Sequence, residues 1–257
     1  MMTTPVMAPE ALLIDVGNTA IKWCLTRGKN AAIEARRCSR DPNKLVAAVT
    51  DAVSALSSTP TIWLASVADE HFDGGLVKAL RSAGFKAIHS VVTESDELGL
   101  HNSYSEPLRM GVDRWLAMIA AKYGCLEPCI VIDAGTALTI DVVTADGQHS
   151  GGYIVPGIEL MQGALLRDTQ RVRFSEQLDP TTVPGDSTAA CVVAGAWASL
   201  LGAATLVTQR YPMHRVVVTG GAGKHLLSLG LDGEWRPDLV LEGLAIKAAN
   251  APLTRGV

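Results

Sequence analysis

Two acidic residues, Asp15 and Asp133, stand 118 positions apart, each at the end of an apolar run and each two residues ahead of a glycine. The first heads Asp15-Val16-Gly17-Asn18-Thr19 and the second Asp133-Ala134-Gly135-Thr136-Ala137. A carboxylate, turn amides and a hydroxyl or side-chain amide gathered at one spot suit a polyphosphate and its cations. Amides and hydroxyls take phosphate oxygens, while the carboxylate takes a metal ion or its waters. One Asp-x-Gly is also ordinary turn punctuation, since both residue types favour turns. Repetition is what separates the two readings. Both turns continue into β-branched apolar segments, Ile21-Lys22-Trp23-Cys24-Leu25 and Leu138-Thr139-Ile140-Asp141-Val142-Val143, and they divide the chain almost in half. A duplicated phosphate-handling domain is the expectation. No Gly-x-x-x-x-Gly-Lys-Ser/Thr occurs, and Thr219-Gly220-Gly221-Ala222-Gly223-Lys224 does not fit a dinucleotide fingerprint, which argues against a P-loop or Rossmann site.

The elements that must position these turns alternate between strand and helix. Ala11 to Ile14 and Cys129 to Ile132 have the apolar content of buried strands, and the glycine after each acidic residue lets the chain reverse tightly. A helix around Pro42 to Leu56, a strand Thr61 to Val67, helical spacing over Leu76 to Ala83 and a strand Ala87 to Val92 follow. After a loop, His101 to Arg109, the apolar stripe Val112, Trp115, Leu116, Ile119 and Ala120 predicts an amphipathic helix ending at Gly124. The second half reads as the Asp133 hairpin, a Gly151-Gly152 turn, helices at Glu159 to Arg171 and Ser187 to Gln209, and a strand Arg215 to Val218. The glycines at 220, 221 and 223 either admit a flat ligand such as adenine or make a plain strand-to-helix turn. Ser175 to Pro184 reads as a mobile loop over a cleft.

With 257 residues, 48% of them hydrophobic, and mean hydropathy of +0.22, the chain has ample material for a core. A net charge of −4 and a pI near 5.9 leave no electrostatic footprint for nucleic acid, and Arg36-Arg37-Cys38-Ser39-Arg40 reads as a solvated face or loop. Five cysteines without a Cys-x-x-Cys pair argue for a reducing compartment and against a disulfide scaffold or structural zinc, with Cys125 and Cys129 as buried thiols. Met1 to Pro9 lacks the pattern of a signal peptide and reads as a frayed tail, so a cytoplasmic location is expected. Ser187 to Gln209 is uncharged and long enough to cross a bilayer of ~30 Å. Its glycines and hydroxyl residues, among them Gly195, Gly202, Ser199, Thr205 and Thr208, favour instead a helix packed closely on a sheet or a partner subunit, with no membrane.

Taken in order, Asp15-x-Gly-Asn-Thr with Lys22, Gly111-Val112-Asp113-Arg114, Asp133-x-Gly-Thr-Ala, Gly151-Gly152-x-Ile154-x-Pro156-Gly157 and Ser187-Thr188 ahead of Gly195 resemble the type III pantothenate kinases over nearly the whole chain. The resemblance implies an α/β protein of two ribonuclease H-like domains of the actin-like ATPase fold, with a nucleotide cleft between them. The domains are expected at 1–112 and 113–257, the last helix being free to pack back on the first. It implies transfer of the γ-phosphoryl of ATP to the primary hydroxyl of pantothenate, the first step toward coenzyme A.

In that reading Asp15, Val16, Gly17, Asn18, Thr19, Lys22 and Thr136 bind ATP, and Asp15 also holds Mg2+ or its waters. Asp133 is the ligand of a monovalent cation, K+ or NH4+. Asp113 is the general base, and Tyr104, Gly111, Val112, Asp113, Arg114 and Thr188 contact pantothenate, Thr188 at the interface of a homodimer. Plainer roles stay open: Lys22 as a snorkelling surface lysine, Asp113 and Thr188 as helix caps, Asp133 as a hairpin residue and Tyr104 as a half-buried loop residue. Ala20, often polar in the family, and Met110, often Leu, depart from its pattern outside the residues given chemistry. Another kinase or polyphosphate hydrolase of the superfamily and an ATP-gated regulatory protein, including an accessory factor of transcription, are the alternatives.

Overall fold

A computed structural model describes residues 10–27, 33–168, 172 and 178–251. By contacts the chain divides into two units, one drawn from Met1–Glu94, Glu106–Tyr123 and Asp238–Val257, the other from Ser95–Ser105 and Gly124–Pro237.

The first unit is built on β1 (Glu10–Val16), β2 (Ala20–Arg27), β3 (Arg36–Ser39), β4 (Thr61–Ser66) and β5 (Ile88–Ser90), in the order β3-β2-β1-β4-β5. β1 runs antiparallel to β2 and parallel to β4, so the sheet combines a hairpin with crossovers. The crossovers are α1 (Pro42–Val53) and α2 (Glu70–Ser82), capped by Asp41 and Asp69. Leu12, Ile14 and Val16 pack with Leu45 and Val49 of α1 and Leu76 and Leu80 of α2. The period of two therefore puts Leu13 and Asp15 on the opposite face of β1. α3 (Val112–Lys122) and α7 (Leu239–Asn250) also belong to this unit. They pack so closely that a Cβ on Gly243 would fall 2.6 Å from the Leu116 carbonyl carbon. This grouping places α3 with the first unit, whereas a boundary at 112/113 assigns it to the second.

The second unit repeats the design with β8 (Cys129–Ala134), β9 (Ala137–Val143), β10 (His149–Pro156), β11 (Arg215–Thr219) and β12 (Glu234–Trp235), ordered β10-β9-β8-β11-β12. Each pairing has the same sense as its counterpart: β8–β9 and β9–β10 are antiparallel, β8–β11 and β11–β12 parallel. A short hairpin of β6 (Asp96–Glu97) and β7 (Leu100–His101) precedes it, and α4 (Ile158–Asp168), α5 (Thr188–Arg210) and α6 (Gly223–Ser228) complete the unit. By length and composition α5 could cross a membrane, but Val193, Trp197, Leu200, Ala204 and Val207 join Ile130, Ile132, Ile140 and Val142 in the core of this unit. Asp133 and Asp141 alternate with those core residues and so share the other face of the sheet.

Arg36-Arg37-Cys38-Ser39 is the solvated face expected, but as a mostly exposed edge strand rather than a loop, its arginines suited to an edge open to water. Two local expectations are corrected. Gly151-Gly152 is no turn but part of β10, with a register shift between His149 and Gly151 and Gly151 at φ +109. The glycines of the two Asp-x-Gly turns are absent from the positive-φ residues, so neither reversal depends on a left-handed glycine. Met1 to Pro9, residues 169–171 at the end of the expected Glu159 helix, and 175–177 of the expected loop lie outside the described residues.

Candidate active site

The first Asp-x-Gly turn is a hairpin in which Gly17 N–H donates to Ala20 O at 3.0 Å. A side chain at Gly17 would press on that same carbonyl at 3.2 Å, so glycine serves here by having none. Asn18 and Thr19 stand exposed at the tip, as a phosphate cradle requires. Arg40 Nη1 donates to the Asn18 carbonyl at 3.2 Å and its guanidinium lies 4.7 Å over the Phe72 ring, which steadies the tip. Sequence reasoning missed this role for Arg40, because a basic cluster looks alike whether or not one member reaches a turn.

Asp15 and Lys22 are direct register partners across β1 and β2. Lys22 Nζ donates to Asp238 Oδ1 at 3.2 Å, just before α7, so it is a paired, half-buried lysine. A snorkelling surface lysine would have no such partner. Burial and the charge of Asp238 push the thiol of neighbouring Cys24 up to about 12, which keeps it neutral and unreactive.

Asp113 sits in the first turn of α3 and accepts from Arg114 N–H at 2.7 Å. The cap position is Gly111, with no side-chain cap of its own, so Asp113 does satisfy one helix-end amide. A Cβ on Gly111 would stand 2.5 Å from Asp113 Oδ1, so that glycine makes room for the carboxylate. Val112 and Arg114 are buried, while Asp113 is half-buried.

In the second unit Gly135 N–H donates to Ala137 O at 3.0 Å, one residue nearer than the bond that closes the first turn. The second reversal is thus the tighter, with Thr136 alone where the first has Asn18 and Thr19. Two glycines from elsewhere press on it. Gly157 N–H donates to Thr136 O at 3.0 Å, and a Cβ there would lie 2.5 Å from that oxygen. Gly220, at φ +86, runs so close that a Cβ would fall against Asp133 Oδ1 and 2.5 Å from the Ala134 carbonyl carbon. Gly223 is packed under Trp235 and Val218, which leaves only Gly221 facing open space. Packing thus explains Gly220 and Gly223 without a flat ligand.

No group of three or more metal-ligating side chains occurs among the described residues. Single carboxylates at strand ends, Asp15 and Asp133, fit hydrated Mg2+ or a monovalent cation completed by carbonyls and water. Tyr104 is half-buried in a segment whose Asn102 Oδ1 accepts from Tyr104 N–H at 2.9 Å. The N-cap of α5 is Ser187, whose Oγ accepts from Ala190 N–H at 3.2 Å, and Thr188 stands exposed beside it. Capping therefore does not account for Thr188.

Two sheets of one strand order, each opening on an Asp-x-Gly hairpin, define the actin-like ATPase fold. Solved structures share it: a Campylobacter jejuni protein described as a Baf family transcriptional activator (TM-score 0.61, 19% identity, 93% of this chain and 98% of that one) and the activator of 2-hydroxyisocaproyl-CoA dehydratase from Clostridium difficile with bound ADPNP (TM-score 0.56, 10% identity, 94% of each chain). Within that fold the sequence is decisive. The type III pantothenate kinase family profile matches residues 11–210, and the type III pantothenate kinase of Marinobacter nauticus is 37% identical over 238 residues, 91% of this chain and 96% of the relative. The chain belongs to the type III pantothenate kinase family.

Proposed function

We propose that this chain transfers the γ-phosphoryl group of ATP to the primary hydroxyl of pantothenate, giving 4'-phosphopantothenate for coenzyme A synthesis. The observation that carries the reading is the family match over residues 11–210, which spans both Asp-x-Gly turns and Asp113-Arg114. Phosphoryl transfer asks a protein for in-line positioning and charge neutralisation more than for covalent help.

Asn18, Thr19 and Lys22 take phosphate oxygens at the turn that Val16 and Gly17 shape, where the Gly17 amide closes the hairpin on Ala20, and Thr136 supplies a second phosphate contact. Asp238 restrains Lys22, so its ammonium is presented from one place rather than swept through solvent. Asp15 holds Mg2+ or its waters and Asp133 a monovalent cation, K+ or NH4+; these ions neutralise phosphate charge. Asp113 takes the hydroxyl proton, and Gly111 leaves its carboxylate room to do so. Val112 fixes the start of the helix, Arg114 offers a planar set of donors to the acceptor's oxygens, and Tyr104 and Thr188 complete the acceptor contacts.

α5 supports a homodimer. Cys191, Gly195, Ala198, Ser199, Gly202 and Leu206 are exposed and recur at helical spacing, an uncharged stripe of mostly small residues that lets a second helix approach. Cytoplasmic action follows from the substrates.

The test is ADP release by the purified protein with ATP and Mg2+, against pantothenate, acetate and simple sugars as acceptors, in potassium and in sodium salt. Turnover that requires pantothenate and is stimulated by potassium is expected. ATP binding without pantothenate-dependent turnover would move the assignment to another acceptor or to a regulatory role.

A further inference from the structure

The second unit buries a polar pair that none of the roles above uses. His149 and Asp141 have side chains 0% and 2% exposed, and His149 Nε2 lies 2.9 Å from Asp141 Oδ1. The other ring nitrogen, Nδ1, lies 2.9 Å from Ser103 Oγ, and Ser103 immediately precedes Tyr104.

The donor and acceptor roles follow from chemistry. A carboxylate only accepts, so Nε2–H donates to Asp141 Oδ1, and in that tautomer Nδ1 is the acceptor for the Ser103 hydroxyl. Two apolar side chains would close this hairpin without the desolvation cost of a buried charge. What the polar pair adds is an acceptor aimed at one point on the segment before Tyr104.

The backbone is arranged for that aim. Asp141 pairs in register with Gly152, and strict alternation along β10 would then turn His149 to the opposite face. The register shift between His149 and Gly151, with Gly151 at φ +109, puts His149 opposite Val143 and back on the face of Asp141. The glycine pair of the fourth sequence motif thus has a structural task.

Residues 101–104 are tied at every step. His101 N–H donates to Gly147 O at 2.9 Å, Asn102 N–H to Ser95 O at 2.8 Å, Ser103 to His149, and Tyr104 N–H to Asn102 Oδ1. The Tyr104 ring leans over the imidazole, with centroids 6.3 Å apart and planes tilted by 31°.

We propose that Asp141, His149 and Ser103 form a positioning relay that fixes Tyr104, and that the relay sets affinity for the acceptor rather than the rate of transfer. It rests on the reading of Tyr104 as a pantothenate contact. These three are positioning residues; none touches the reacting atoms.

Ser103→Ala is the informative variant, because Ser103 is exposed and the buried pair stays intact. KM for pantothenate should rise about three- to tenfold, the range of one lost hydrogen bond, with kcat and KM for ATP held within about twofold. In a Tyr104→Ala background the same change should add nothing, since its effect passes through that ring. Amide hydrogen exchange at 102–104, which needs no substrate, should quicken in Ser103→Ala and more so in His149→Gln.

Unchanged KM for pantothenate in Ser103→Ala, or effects of Ser103→Ala and Tyr104→Ala that multiply independently, would overturn the relay. A wild-type protein without pantothenate-dependent turnover would instead overturn the functional reading alone. The exchange rates would then still decide whether His149 and Ser103 hold Tyr104: faster exchange supports the hold, and unchanged exchange refutes it.

Discussion

Asp113 depends on the residue two places before it. A single methyl group fills the space at Gly111, and the atom it meets is Asp113 Oδ1, part of the carboxylate proposed to take the acceptor's proton and the oxygen that accepts from Arg114 N–H. Gly111→Ala should therefore swing Asp113 aside and lower kcat about tenfold or more, with KM for ATP unchanged, since displacement of a general base forfeits part of its ~10²–10⁴-fold contribution. Steady-state kinetics with each substrate varied in turn checks this. Gly220 is the harsher case, because the colliding atoms include backbone and φ is +86. Gly220→Ala should cost about 2 kcal/mol of stability from strain alone and displace Asp133 as well. A denaturation midpoint with and without potassium, read beside activity, separates those two effects.

At this scale the sequence displays the motif residues but not the contacts that support them. Asp238, the partner of Lys22, lies 216 residues away, and no spacing rule reaches that far. Arg40 and His149 act through contacts that depend on where a strand edge and a bulge place them.

Among the elements, strands with continuous apolar runs and helices with clean stripes could be read, because burial on one or both faces imposes its period on the residues. β3 could not, since an edge strand needs no apolar face and Arg36-Arg37-Cys38-Ser39 shows none. The Gly151-Gly152 pair misled for a related reason: a glycine with positive φ serves a bulge as well as a turn, and only the register of the neighbouring strand tells them apart.

The start of α5 makes a sharper point. Ser187 and Thr188 are both competent caps, and the structure gives the cap to Ser187. Ser187→Ala should lower stability by about 1 kcal/mol. Thr188→Ala should leave stability nearly unchanged and raise KM for pantothenate. Thermal melts and kinetics on the two variants distinguish the residue that holds the helix from the one that holds the acceptor.

For the molecule as a whole, the duplication seen in two short turns is repeated in two sheets of identical strand order and sense. It was legible because each copy runs the same kind of apolar strand, ended by an acidic residue, into the same kind of hairpin. The copies are not equal, however: the first reversal closes on Ala20 and keeps two exposed polar residues at its tip, and the second closes a residue sooner and is buttressed by Gly157 and Gly220. An open tip suits phosphate oxygens, and a braced turn with one carboxylate suits a fixed cation. That asymmetry accords with the proposed division, nucleotide contacts mainly in the first unit and a monovalent ion in the second.

The central claim is that phosphate moves from ATP to an alcohol and not to water. Phosphorus NMR of the protein with ATP, Mg2+, K+ and pantothenate, beside Asp113→Asn, tests it directly. The account predicts one new phosphomonoester signal that grows in step with ADP and is lost from the variant, whose fold is retained because Asn can still accept from Arg114 N–H. Inorganic phosphate as the growing signal, or a phosphomonoester that persists undiminished in Asp113→Asn, would contradict it.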